Sequence, residues 1–227
     1  METIAQRLSI TQARIRQAAW ESGRKEKEIH LLAVSKTQSV AALQAAIAAG
    51  QRQFGESYVQ EALVKMAALA EPDLVWHYIG PIQANKCRDI AEHFSWVHSV
   101  DRLKTAERLS HLRPAHLPAL QICLQVNISN EPSKSGASVE ELLPLAIELA
   151  KLPNLQLRGL MAIPAPADDP TTQRLPFSRL RQALETLNRT GLALDTLSMG
   201  MSDDLEVAIA EGSTLVRIGT AIFGPRQ

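Results

Sequence analysis

A closed (β/α)8 barrel is the fold class this sequence predicts, and three observations predict it. Short β-type runs alternate with longer helical patterns along all 227 residues, never breaking into a second regime. Eight such runs can be delimited, at 30–35, 52–55, 75–79, 96–99, 119–127, 155–161, 194–199 and 214–218, and eight strands with crossover helices suit a barrel of about 250 residues. The competing doubly wound sheet carries a glycine-rich turn after its first strand; here that turn reads Ser35-Lys36-Thr37. Residues 1–227 are read as one α/β barrel domain with an extra N-terminal helix.

Each element has a local reason. Residues 3–21 repeat apolar positions at helical spacing, with Ile4, Leu8, Ile15 and Ala19 near one face. Further helices are expected near 39–49, 57–70, 83–93, 101–111, 139–151, 172–190 and 203–211. Gly50, Gly191 and Gly212 stand where a helix needs a left-handed residue before the next strand, and Pro72 and Pro153 punctuate two other connections. The one long polar loop, Asn127 to Ser138, is either a mobile lid or an ordinary surface excursion.

Composition excludes several classes. The 24 basic and 24 acidic residues give zero net charge, so neither nucleic acid nor a membrane surface is an expected partner. Apolar runs stop well short of the ~20 residues that span a bilayer. Met1 to Arg7 carries an early acid and no apolar core, unlike a signal peptide; a cytoplasmic location is the expectation. Cys87 and Cys123 lie far apart without ligand spacing, and His77 and His98 have no paired pattern, so no metal site is expected.

In a barrel of this kind the site forms where the strands exit. That rule gathers Lys36, Gly55-Glu56, Ile79-Gly80-Pro81, His98, Asn127, Met161, Ser198 and Arg217 around one mouth. Lys36 ends the apolar run Leu31 to Val34. An ammonium there is partly desolvated, which favours a nucleophilic amine able to form a Schiff base with an aldehyde; such a lysine can also simply reach to water. Gly219-Thr220 opens a short apolar turn whose successive N–H groups suit a phosphate. Ser198 and Ser202 could add hydroxyls, or Ser202 could cap the helix at Asp203-Asp204. Arg217 either faces a pyridine nitrogen, to which it would donate while discouraging ring protonation, or sits in a buried salt bridge with Glu56 or Asp101.

Together these features describe a pyridoxal 5′-phosphate pocket. The blocks Leu31 to Thr37, Phe54-Gly55-Glu56, Trp76 to Pro81, Gln125 to Ser129, Arg158 to Pro164, Leu197 to Ser202 and Val216 to Gly224 resemble, in order, the pyridoxal phosphate homeostasis protein family. The resemblance implies a barrel of the alanine racemase N-terminal type. It implies a cofactor aldehyde on Lys36, Arg217 at the ring nitrogen, and phosphate on Ser198, Ser202, Gly219 and Thr220. It further implies a carrier of the cofactor with no established turnover and apo pyridoxal-dependent enzymes as recipients; without the extra domain that builds the racemase dimer, a monomer is expected. Ser57 stands where relatives usually have asparagine, which puts its cofactor contact in doubt; Ala84 replaces a serine. Lys134 matches a lysine proposed to take part in hand-over.

Two other functions compete with the carrier. An amino-acid racemase needs acid/base groups on both faces of the cofactor, and in the racemase architecture the second is a tyrosine from an additional domain. This sequence ends at Gln227, and its tyrosines, Tyr58 and Tyr78, match no such position; slow racemisation is the alternative retained. A Schiff-base aldolase would explain the phosphate grip but leave Arg217 without a role.

Overall fold

The computed structural model describes residues 2–129, 135–167 and 169–225. Eight parallel strands close into a barrel in the order β1 to β8, with β8 pairing back onto β1. They are β1 (His30–Val34), β2 (Gln53–Glu56), β3 (Val75–Tyr78), β4 (Trp96–Val100), β5 (Leu120–Gln125), β6 (Leu155–Met161), β7 (Thr196–Ser198) and β8 (Leu215–Ile218). The helices are α1 (Ile4–Glu21), α2 (Val40–Ala48), α3 (Val59–Ala68), α4 (Cys87–His93), α5 (Leu103–Leu112), α6 (Leu142–Ala150), α7 (Pro170–Arg189), α8 (Leu205–Ala210) and α9 (Thr220–Phe223). Among the described residues, no helix is long and apolar enough to cross a membrane.

α1 starts on a reciprocal cap. The Thr3 hydroxyl accepts from the Gln6 N–H, and the Gln6 side chain accepts from the Thr3 N–H at 2.8 Å. Its face Leu8, Thr11, Ile15, Ala18 and Ala19 is buried, and it packs on α2, α8 and α9, the elements beside the β8–β1 seam. The predicted glycines at 50, 191 and 212 all have positive φ, because each ends a helix and turns the chain into the barrel.

Several boundaries differ from expectation. The helix expected over 83–93 is a 3-10 turn, Ala84–Lys86, followed by α4. The strand expected over 119–127 ends at Gln125; Val126 then forms a single bridge to Ala137, and Asn127 N–H donates to Ala137 O at 3.0 Å. The polar loop thus folds back onto the exit of β5, while Lys134 lies outside the described residues. The helix expected over 203–211 starts only at Leu205, because Met201 N–H donates to Asp204 Oδ1 and holds the preceding turn.

Candidate cofactor site

Register places the predicted residues. Val34 of β1 faces Gly55 of β2, so Lys36 and Ser57, each two residues further on, leave the barrel side by side. On the other flank Leu32 pairs with Arg217 and Ala33 with Ile218. A Cβ at Gly219 would meet Val34 O at 3.3 Å, so the turn after β8 rests against the end of β1. Lys36, Ser57, Arg217, Gly219 and Thr220 therefore occupy one quarter of the mouth. Ser57 owes its place to Gly80: a Cβ there would lie 2.4 Å from Ser57 O, an approach only glycine permits.

The turn carrying Lys36 is clamped on both sides, which sequence reasoning missed. Thr37 has φ 65, a left-handed conformation that is a genuine outlier for a β-branched residue. Its N–H donates to Glu61 Oε1 at 2.6 Å. The buried Lys65 Nζ donates to Glu61 Oε1 at 2.5 Å, to Glu56 Oε1 at 2.8 Å and to Ser35 O at 2.7 Å. Ser35 Oγ–H donates to Glu56 Oε1 at 2.6 Å. Both neighbours of Lys36 are thus tied to one ion-pair network spanning β2 and α3. Glu56, expected at the mouth, is instead fully buried in this network; burial raises its pKa against the pull of Lys65 and Ser35.

Arg217 is 5% exposed and pairs with neither Glu56 nor Asp101. Its Nη1 donates to Ser198 O at 2.5 Å and to Ser198 Oγ at 2.7 Å, and its Nη2 to Ala162 O at 2.9 Å. Three of the five N–H donors of a guanidinium are engaged. Among the described residues Nε–H and one Nη2–H have no partner. Desolvation brings its pKa down to about 10, partly offset by Asp204 and Cys123, so it stays cationic near neutrality.

Ser198, expected under the phosphate, lies elsewhere. It is fully buried, and its hydroxyl meets Arg217 and His98, whose Nδ1 is 2.8 Å away. The reason is alternation along β7, which turns residue 198 into the barrel. Ser202 does reach the turn: its Oγ accepts from Ala221 N–H at 3.4 Å, and it does not cap α8. Gly200 makes this possible, with φ 96 and a Cβ position 2.6 Å from Ala208 Cβ. Among the described residues, the N–H groups of Gly219 and Thr220 donate to no other group. Two unspent backbone donors beside the Ser202 hydroxyl form a set suited to phosphate oxygens, so the residues present fit a phosphorylated pyridine aldehyde.

At the exits of β3, β4 and β5 the same end of the barrel carries a cleft of about 500 Å³, lined by Gly80, Ser99, Asp101, Gln125 and Asn127 among others. Met161 and His98, also expected at the mouth, are buried. Among the described residues there is no cluster of three or more His, Cys, Asp or Glu that could hold a metal ion, and Cys87 and Cys123 are free and buried.

The family model for the alanine racemase N-terminal domain matches residues 10–227. The pyridoxal phosphate homeostasis protein of Pseudomonas aeruginosa is 61% identical over 227 residues, covering all of this chain and 97% of its own length. The chain belongs to the pyridoxal phosphate homeostasis protein family. Within the fold of this family, PipY of Synechococcus elongatus, solved with PLP bound, superposes with a TM-score of 0.85 at 39% identity, over 98% of this chain and all of its own. An alanine racemase of Clostridium difficile shares the fold, with a TM-score of 0.77 at 15% identity over 96% of this chain and 56% of its own. Membership in the homeostasis family thus agrees with the barrel type expected from the sequence.

Proposed function

We propose that this chain holds pyridoxal 5′-phosphate on Lys36 and serves its storage and delivery to apo enzymes, rather than turning over a substrate. The observation that carries this reading is that the exits of β8, β1 and β2 bring together the clamped turn bearing Lys36 and, among the described residues, two unspent guanidinium N–H groups and two unspent backbone N–H groups. Lys36 would hold the cofactor through its amine, which can condense with an aldehyde with loss of water. Gly219, Thr220 and Ser202 would hold the phosphate, and Arg217 the ring nitrogen. When bound, the cofactor supplies an electron sink, and a cationic arginine at its ring nitrogen weakens that sink. This favours retention over carbanion chemistry.

The tyrosines support the same reading. Tyr78 Oη–H donates to Pro81 O at 2.9 Å, and burial pushes its pKa up to about 12; Tyr58 is exposed at the start of α3. Neither is poised as a second base. The homeostasis role named for the Pseudomonas aeruginosa relative and the PLP bound by PipY are consistent with it. A cytoplasmic, monomeric protein completes the proposal. The test is to load the protein with pyridoxal phosphate, confirm the visible absorption, and incubate it with L-alanine while following D-alanine. The proposal expects binding without turnover. Racemisation at ordinary enzyme rates, about 1–1000 per second, would make the protein an enzyme instead.

A further inference from the structure

The barrel interior is not filled by apolar layers alone. A line of polar side chains runs through it from Arg217 to the opposite end. Arg217 Nη1 donates to Ser198 Oγ at 2.7 Å, Ser198 Oγ is 2.8 Å from His98 Nδ1, and His98 Nε2 is 2.9 Å from His77 Nδ1. His77 Nε2 is buried without a partner among the described residues. Its ring lines a basin of about 550 Å³ formed by the strand starts, with His30, Gln53, Trp96, Arg158 and Thr214. His77 is also held flat: it stacks on Trp96 at 5.4 Å and 11°, and the Arg158 guanidinium lies 5.0 Å from the Trp96 centroid.

The direction of this line follows from donor accounting. Arginine only donates, so Ser198 Oγ accepts from Arg217. Among the described residues its hydroxyl proton has one remaining acceptor, His98 Nδ1. His98 must then carry its proton on Nε2 and donate to His77 Nδ1, and His77 in turn carries its proton on Nε2. The reverse direction would leave two buried groups unpartnered among the described residues, the Ser198 proton and the His77 Nε2 lone pair, whereas this one leaves only the His77 Nε2–H. Both imidazoles are neutral, as the scheme requires, because desolvation lowers the His77 pKa to about 3 and that of His98 well below its ordinary value.

We propose that His98 and His77 are positioning residues for Arg217, a directed relay of hydrogen bonds that fixes the angle at which the guanidinium presents its unspent N–H groups to the mouth. The relay rests on the pyridoxal phosphate reading only for what those N–H groups face. Without it Ser198 can rotate, and Arg217 loses one of its three anchors.

Nitrogen-15 NMR of the imidazoles in the cofactor-free protein tests the relay without that reading. At pH 7 both His77 and His98 are expected as the neutral Nε2–H tautomer; an Nδ1–H tautomer or an imidazolium at either position overturns the scheme. With pyridoxal 5′-phosphate added, His98→Leu is expected to shift the visible absorption band and weaken retention roughly tenfold. His98→Asn, whose Oδ1 can accept from Ser198, restores both. A folded His98→Leu protein with wild-type band and retention overturns the proposal. Where that variant does not fold, His77→Phe, which keeps the stack on Trp96 and removes the next link, is read by the same criteria. If the wild-type protein takes up no pyridoxal phosphate, the functional reading fails, and the tautomers alone decide the relay.

Discussion

Replacing Lys65 by methionine keeps an apolar stem of similar length and removes the cation that joins Glu56, Glu61 and Ser35. Glu56 is then left fully buried with only the Ser35 hydroxyl on Oε1, since Oε2 has no partner among the described residues. Breaking a buried pair from one side costs about 3–5 kcal/mol. An independent bound agrees: a carboxylate with an ordinary pKa of 4.5 can be protonated at pH 7 for about 3 kcal/mol, at about 1.4 kcal/mol per unit. The variant is expected to lose about 3 kcal/mol in urea unfolding at pH 7. The pH dependence carries the sign. With Glu56 protonated when folded and ionised when unfolded, the folded state binds more protons, so stability recovers as pH falls toward 4.5, by about 1.4 kcal/mol per unit. Adding Glu56→Gln should return most of the loss at pH 7. A deficit below 1 kcal/mol, or one independent of pH, would refute the network as an anchor of the Lys36 turn.

Other perturbations read other parts of the structure. Gly200→Ala places a methyl 2.6 Å from Ala208 Cβ at φ 96. It should cost about 1–3 kcal/mol in thermal or urea unfolding and displace Ser202 from Ala221; a neutral effect would mean that the turn does not depend on this conformation. His77 is held down to about 3 from 6.5, so between those values the unfolded chain binds more protons and acidification destabilises. At pH 5 the loss is about 2 kcal/mol relative to pH 7, and His77→Phe should remove that part of the acid sensitivity; equal slopes in both proteins would contradict it.

The fold was legible because hydrophobic alternation, helix-ending glycines and the Lys36 turn all pointed to one architecture. Lys36, Arg217 and Gly219 were legible as strand exits. Less was visible where a side chain's direction, rather than its place along the strand, decides its role. His98 and Ser198 stand at exits, yet alternation turns them inward, where they meet across the barrel interior. Glu56 likewise turns outward to Lys65. The Glu61–Lys65 spacing of four residues on α3 was a readable hint of a helical ion pair, but its reach to Glu56 and Thr37 depends on packing of α3 over the β1–β2 exits. Boundaries shifted where a single side chain settles a turn, as Asp204 does before α8.

The central claim is that the amine at position 36 is the attachment point for the cofactor. Adding pyridoxal 5′-phosphate, reducing with borohydride and mapping the peptides by mass spectrometry tests it most directly. A single phosphopyridoxyl mass on Lys36, absent from Lys36→Ala, is the result predicted. The label on another lysine, or no label, would contradict the account.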